Sequence, residues 1–85
     1  MKMTASETQW LRDMQKLLAA CPSKRLGFYT IGDPQVFVYD RTKEGDIHTL
    51  MDRHDNLDFP GAVEKAKAGT DFYLSFPENV HSVAG

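Results

Sequence analysis

The chain has 85 residues, of which 41% are hydrophobic and 26% charged, and its formal net charge is −2. These values are those of an ordinary globular protein, and the length corresponds to a single domain over residues 1–85. Charges of both signs are interspersed, which argues against a dedicated nucleic-acid binder with a basic stripe and against a strongly acidic nucleic-acid mimic. No apolar run approaches the roughly 20 residues that a membrane-spanning helix needs, so no membrane partner is expected.

Two features of the chain bear on its cellular location. It contains a single cysteine, Cys21, which excludes an internal disulfide. The residues that follow Lys2 do not form the apolar core of a secretory signal. Both features favour a reducing environment, and we therefore expect a cytoplasmic protein.

The first predicted element is a helix over residues 4–21. Thr4 and Glu7 have the spacing of a capping box, in which both side chains bind backbone N–H groups at the start of the helix. Apolar residues then recur at steps of three and four, which indicates an amphipathic helix with one face in the core. They are Trp10, Leu11, Met14, Leu17, Leu18 and Cys21. The same pattern predicts that the Cys21 thiol is buried and inert.

A β-hairpin is predicted over residues 26–40, where two runs rich in aromatic and β-branched residues flank Gly32-Asp33-Pro34. Proline cannot adopt the positive φ angle of a two-residue primed turn, so we expect a loop of three to five residues. The parity of the loop decides which side chains share a face of the sheet. An odd loop places Phe28 with Val38 and puts three aromatic residues on the other face, whereas a loop of four exchanges the partners. The three aromatic residues are Tyr29, Phe37 and Tyr39.

Two further helices are predicted after the hairpin. Asp46 suits the N-cap of a helix over residues 46–54, because its short side chain can accept hydrogen bonds from the first turn. Asp58 suits the N-cap of a helix over residues 59–68 for the same reason. Gly69 suits the C′ position that ends this last helix.

The last predicted elements are a strand over residues 71–76, where aromatic and apolar residues alternate with others, and a tail over residues 77–85. Together with the first helix and the hairpin, they give the order α-β-β-α-α-β. Short connections and a hairpin favour an antiparallel sheet of three strands packed with helices, which is an α+β domain.

His48, Asp52 and His54 belong to the densest cluster of groups that could bind a metal or transfer a proton. His48 and Asp52 are four residues apart and share one face of a helix, whereas His54 points to a different side. A zinc site needs three or four converging ligands, and the simpler interpretation is a solvated helix face with a His–Asp pair. A small metal-dependent or acid–base enzyme that uses these three residues is an alternative. We expect no catalytic residue, no metal site and no cofactor.

The predicted sheet carries more aromatic residues than one helix-covered face can take up. Tyrosine suits a surface that is apolar at the ring and hydrated at the hydroxyl, and such residues are enriched where proteins meet. We therefore predict a partner-binding face on the sheet. Its residues are Tyr29, Phe37, Tyr39 and Tyr73. In the alternative interpretation, the first helix covers one face of the sheet and the later helices cover the other.

These observations predict a small non-enzymatic protein–protein interaction module. Its partner would be another protein or a second copy of the chain, in a homodimer. A further alternative is a weak binder of single-stranded nucleic acid that uses the tyrosine face. Lys24, Arg25 and Lys43 are too few for a nucleic-acid footprint, so nucleic acid is not the expected partner.

Two segments resemble small uncharacterised proteins encoded by enterobacterial phages and prophages. The first is Arg-Leu-Gly-Phe-Tyr-Thr-Ile-Gly-Asp over residues 25–33, followed by Val-Tyr-Asp over residues 38–40. The second is the closing segment, from the Phe-Pro of residues 76–77 to the His-Ser-Val-Ala-Gly of residues 81–85. The resemblance brings no established activity and no site residue. It implies a compact accessory protein that acts by binding a host protein.

Overall fold

The computed structural model describes residues 1–82. Its elements are α1 (Ala5–Ala19), β1 (Leu26–Tyr29), β2 (Gln35–Asp40), a 3₁₀ turn (Arg41–Lys43), α2 (Glu44–Arg53), α3 (Phe59–Lys65) and β3 (Gly69–Ser75). The three strands form an antiparallel sheet in the order β1-β2-β3. The predicted α+β class and the order α-β-β-α-α-β are confirmed. The end of the predicted tail, residues 83–85, lies outside the described residues.

The first helix begins with the predicted capping box. Thr4 Oγ1 accepts a hydrogen bond of 3.1 Å from the backbone N–H of Glu7, and Glu7 Oε1 accepts one of 2.8 Å from the N–H of Thr4. These bonds satisfy two of the donors that the first turn of a helix leaves unpaired. The helix ends at Ala19, ahead of Pro22, because the residue before a proline disfavours the helical conformation.

The hairpin has the odd register. Phe28 on β1 lies opposite Val38 on β2, and Tyr29 lies opposite Phe37. Residues 30–34 form the connection, which contains the predicted Gly-Asp-Pro sequence, and Gly32 adopts a φ of 92° that favours glycine. Phe28 and Val38 therefore face one side of the sheet, and the three predicted aromatic residues face the other.

The second helix begins two residues earlier than predicted. Asp40 at the end of β2 accepts hydrogen bonds from the backbone N–H and the hydroxyl of Thr42, at 2.9 and 2.6 Å. These bonds lower the pKa of Asp40 and start a 3₁₀ turn that leads directly into α2 at Glu44. Asp46 therefore lies inside the helix, and its predicted role as N-cap is wrong.

The third helix has the predicted N-cap and a different end. Asp58 Oδ1 accepts a hydrogen bond of 2.9 Å from the backbone N–H of Gly61, as expected of an N-cap aspartate. The helix ends at Lys65, and Lys67 takes the left-handed conformation, with a φ of 56°. Gly69 is the first residue of β3, so its predicted role at the C′ position is wrong.

The core lies between one face of the sheet and the two later helices. Its buried members are Tyr39, Ile47, Ala62, Val63 and Ala68. Partly buried side chains pack around them, among them Leu50 and Met51 from α2 and Phe59 from α3. The core is small because many of the large apolar residues of the chain lie elsewhere, on α1 and on the other sheet face.

The chain is elongated because α1 extends away from this core. The radius of gyration is 15.4 Å, compared with about 12 Å for a compact domain of 85 residues. None of the residues of α1 is buried, so the prediction that its apolar face lies in the core is wrong. Cys21 is exposed, which also contradicts the prediction of a buried thiol. In the described part of the chain, no helix combines the length and the apolar character needed to cross a bilayer.

Candidate interaction surface

One face of the sheet is covered by α2 and α3, and we call it the covered face. Here the Tyr29 ring stacks on Phe37, with 5.4 Å between the ring centroids. Phe59, the first residue of α3, packs edge-on against Tyr29 and Tyr39, at centroid distances of 5.4 and 5.3 Å. Aromatic pairs are favourable at these separations and in these orientations. The rings therefore join the sheet to the helix layer.

Tyr39 is the central ring of the covered face and is only 5% exposed. Its ring lies over Gly27 on β1, where an added Cβ would overlap the ring atoms Cε1 and Cζ. Its hydroxyl donates a hydrogen bond of 2.7 Å to Glu44 Oε1 at the start of α2. Burial, the hydrogen bond to Glu44 and the charge of that carboxylate raise the pKa of Tyr39, and the charge of Arg41 acts in the opposite direction.

The four predicted partner-binding residues all lie on the covered face but differ in exposure. Tyr39 belongs to the core, and Tyr29 and Phe37 are half-buried. Tyr73 is 53% exposed, and its ring lies 6.3 Å from that of Phe37 between centroids. Partner binding by these four residues stays a prediction. Tyr29 and Tyr39 already contact Phe59 of the helix layer, and Tyr73 is the only one of the four that is more than half exposed.

The opposite face of the sheet, which we call the open face, is largely uncovered by the described residues. It is lined by Leu26, Phe28, Val38, Thr70, Phe72 and Leu74. Phe72 is 65% exposed and Phe28 is 46% exposed, although phenylalanine is usually buried. Val38 is only 8% exposed, because it belongs to the central strand and has neighbours on both sides.

The apolar side of α1 is a second exposed surface, which we call the α1 stripe. It consists of Trp10, Leu11, Met14, Leu17 and Leu18. Trp10 is 52% exposed and Leu17 is 76% exposed. The helix approaches the end of β3, and the two segments line a shallow apolar groove. The groove is lined by Trp10, Met14, Leu17, Leu18 and residues 74–77. The stripe covers only this end of the sheet, so the described residues do not show the alternative interpretation, in which helices cover both faces.

Leu74 connects the two exposed surfaces, because it lines both the open face and the groove beside α1. The open face and the α1 stripe therefore form one continuous region, which we call the apolar surface. Contiguous apolar patches of more than a few hundred Å² are rare on monomeric proteins and mark sites of interaction. Such a surface can bury apolar side chains of another molecule.

A small basic region lies at the edge of β1. Lys24, Arg25 and Arg41, with Thr42, line a shallow depression there. Arg41 Nη1 donates a hydrogen bond of 3.4 Å to the carbonyl of Lys24, and its Nε lies 4.0 Å from Glu44 Oε2. Both side chains of this ion pair are exposed, so it contributes little to stability. The region lies at the end of the hairpin where β2 leads into α2.

The structure does not assemble a metal site from the residues of the enzyme alternative. His48, Asp52 and His54 are all exposed. Among residues 1–82, no three His, Cys, Asp or Glu side chains converge in an arrangement that could hold a metal ion.

The sequence interpretation did not single out Phe28 and Phe72 as surface residues. Both belong to runs in which apolar residues occupy successive positions of a strand, so both faces of the strand are apolar. This pattern indicated that one face of the sheet could be exposed. The tyrosines led to the prediction that the partner-binding face is the one that the structure shows to be covered. Comparison of the chain with protein-family models, with curated proteins and with solved structures finds no match.

Proposed function

We propose that this protein is a non-enzymatic protein–protein interaction module and that the apolar surface is its contact surface. The observation that carries the proposal is the continuity of the open face with the α1 stripe through Leu74. Exposed apolar side chains cost free energy in water, and burial against a partner recovers about 25 cal/mol for each Å² of apolar area. A protein partner supplies the matching apolar side chains.

The chemistry of the open face favours a dry protein contact. Its aromatic residues, Phe28 and Phe72, have no polar atoms, and the hydroxyl of Thr70 already donates a hydrogen bond of 2.8 Å to the carbonyl of Val38. Nothing on this face therefore requires water or a polar partner atom. The cores of protein interfaces have this character and are depleted in charged residues.

The resemblance to phage and prophage proteins supports a host protein as one class of partner, and a cytoplasmic location accords with it. The formal net charge of −2 is small, so it neither attracts nor strongly repels most proteins. Binding would therefore depend on the shape and apolar character of the surface more than on long-range attraction.

The test uses two neighbouring residues that lie on opposite faces of β3. A tagged chain is exposed to a cell lysate that also contains an untagged copy of the chain, and retained proteins are identified by mass spectrometry. Phe72→Thr changes the open face, and Tyr73→Thr changes the covered face at similar exposure. Threonine keeps the preference for strand conformation in both variants.

We expect the wild type and Tyr73→Thr to retain the same protein and Phe72→Thr to lose it. Circular dichroism of each variant confirms that the fold is intact. Retention that is equal in all three folded proteins, or the absence of any retained protein, would overturn the proposal. Selective loss with Tyr73→Thr would instead support the covered face as the binding site.

A further inference from the structure

We propose that the partner on the apolar surface is a second copy of this chain, with the α1 stripe of each copy on the open face of the other. The inference rests on the proposed function, because it uses the same surface, and it specifies the occupant. A single two-fold axis produces both contacts. When the α1 stripe of the first copy lies on the open face of the second, the symmetry also puts the α1 stripe of the second copy on the open face of the first.

The chain exposes more surface than a compact monomer of its mass, and the excess is in the range that stable dimers bury. The chain exposes 6978 Å², whereas a compact monomer of 9.6 kDa exposes about 5,100 Å², which leaves an excess of about 1,900 Å² per chain. Two copies that buried this excess would remove about 3,800 Å² in total, within the roughly 2,000–5,000 Å² of obligate homodimers.

The two halves of the apolar surface are complementary in form. α1 has 15 residues and is about 22 Å long, and β3 has seven residues and is about 23 Å long. An amphipathic helix lying on an apolar sheet is the usual second layer of an α+β domain. Within residues 1–82, α1 meets only the end of β3 and most of the open face has no helix on it, and a second copy supplies each missing layer.

The polar side of α1 permits this arrangement. Gln9 Nε2 donates a hydrogen bond of 2.9 Å to Asp13 Oδ1, and Lys16 lies on the same side of the helix, away from the stripe. These groups remain in water when the stripe is buried, so the charges of Asp13 and Lys16 are not desolvated. Glu7 lies beside Trp10 and Leu11 at the start of the helix, where its carboxylate accepts a hydrogen bond from the N–H of Thr4. A formal net charge of −2 per chain opposes the approach of two copies only weakly.

The first measurement is the mass of the purified chain in solution at several concentrations, by analytical ultracentrifugation. We expect twice the 9.6 kDa of one chain for the wild type. Phe72→Thr and Leu17→Gln should each weaken dimerisation by about tenfold or more, as truncation of central apolar anchors does. The matched controls are the adjacent residues Tyr73→Thr and Lys16→Gln, which should leave the dissociation constant within about twofold of the wild type.

The second measurement tests which surfaces meet. Chains carrying Leu17→Cys are mixed with chains carrying Phe28→Cys, both in a Cys21→Ser background, under mild oxidation. We expect a mixed disulfide between the two kinds of chain, formed at least about tenfold faster than in a control mixture that carries Lys16→Cys instead of Leu17→Cys. Because each chain has one thiol, every cross-link must join two molecules.

The outcomes separate this inference from the proposed function. A strict monomer at all concentrations overturns the self-association, and a dimer insensitive to both Phe72→Thr and Leu17→Gln overturns the apolar surface as its contact. If that monomer still retains another protein from the lysate, and Phe72→Thr abolishes retention, the interaction module stands and only its occupant changes. A dimer in which Leu17→Cys cross-links no faster than Lys16→Cys overturns the crossed arrangement.

Discussion

The two faces of the sheet are built from the same three strands but differ strongly in the exposure of their aromatic residues. On the covered face, Tyr39 is 5% exposed, whereas on the open face Phe72 is 65% exposed. Both faces are apolar, so the pattern of residues does not distinguish them. The difference lies in the positions of the helices, because α2 and α3 fold back over one face and α1 leaves most of the other uncovered.

The polar atoms of the two faces explain why the chain covers the one that it does. Tyr39 carries a hydroxyl that must have a partner once it is buried, and Glu44 at the start of α2 accepts its hydrogen bond at 2.7 Å. Phe28 and Phe72 carry no such group, so any apolar partner can cover them. The covered face thus depends on a specific acceptor within the chain, and the open face requires only apolar area.

The largest effect expected from the comparison is the difference between Tyr39→Ala and Phe72→Thr. Tyr39→Ala empties the centre of the core and should lower the free energy of unfolding by about 3–5 kcal/mol at every protein concentration. Phe72→Thr should cost less than about 0.5 kcal/mol in the dilute monomer and progressively more as the concentration favours association. Urea unfolding, followed by circular dichroism at two well-separated concentrations, measures both effects.

Two results would contradict the assignment of the two faces. One is a loss of unfolding free energy in Tyr39→Ala that depends on protein concentration, and the other is a loss in Phe72→Thr that does not depend on it. If Tyr39→Ala fails to fold, Tyr39→Phe provides the second measurement. It removes only the hydroxyl and should cost about 1 kcal/mol through the lost hydrogen bond to Glu44.

The next effect concerns the contact that allows Tyr39 to lie flat on β1. At Gly27 an added Cβ would overlap the Tyr39 ring and would lie 2.7 Å from Arg41 Cγ. Gly27→Ala should therefore lower the free energy of unfolding by about 1–3 kcal/mol, which is the usual cost of overpacking. Chemical denaturation gives the value.

The matched control for that variant is Gly45→Ala. An added Cβ at Gly45 meets no atom within 4 Å, and the residue lies in α2, so the change should add up to about 1 kcal/mol of stability through helix propensity. Equal effects of the two substitutions would show that the close approach of the Tyr39 ring to Gly27 does not constrain the covered face.

The covered face should also show a specific response to alkaline pH. The folded-state pKa of Tyr39 is raised, mainly by burial, and that of Tyr29 is raised by burial and by the charge of Asp58. A tyrosine with a raised pKa contributes stability that is fully present below the unfolded value of about 10 and is lost as the pH rises through the folded value. Unfolding should therefore become easier above pH 10.

Tyr39→Phe isolates the contribution of Tyr39 to this response. The decrease in stability above pH 10 should be shallower in the variant than in the wild type, and Tyr29 should account for part of what remains. Urea titrations at a series of pH values give the slope. An unchanged slope would indicate that the Tyr39 hydroxyl does not ionise with a perturbed pKa.

The sequence predicted those parts of the fold that depend on local interactions. Three features follow from short-range geometry. They are the capping box of Thr4 and Glu7, the N-cap of Asp58, and the hairpin, for which an odd loop was one of the alternatives. The errors concern competition between local signals. Asp46 is a good N-cap, but Asp40 lies earlier and starts a turn that carries the chain into α2 before Asp46 is reached.

The candidate site was less predictable because it depends on which part of the chain covers which face. The spacing of Trp10, Met14 and Leu17 shows that these residues share a face, and it does not show whether the apolar partner belongs to the same chain. A tyrosine such as Tyr39 is common at protein surfaces because its hydroxyl is polar. Tyr39 can be buried here because its ring lies over Gly27 and Glu44 accepts the hydrogen bond of its hydroxyl. Both features depend on contacts between separate elements.

The smallest expected effect lies in the turn that returns the chain from α3 to the sheet. Lys67 adopts a φ of 56°, a conformation that costs a residue with a side chain roughly 1 kcal/mol and that glycine adopts readily. Lys67→Gly should therefore raise the free energy of unfolding by up to about 1 kcal/mol, and Lys65→Gly, in the last turn of α3, should lower it by a similar amount. Because the turn belongs to the covered side, the gain measured by urea unfolding should be the same at all protein concentrations. A gain that grew with concentration would place this turn in the contact between copies and would extend that contact beyond the apolar surface.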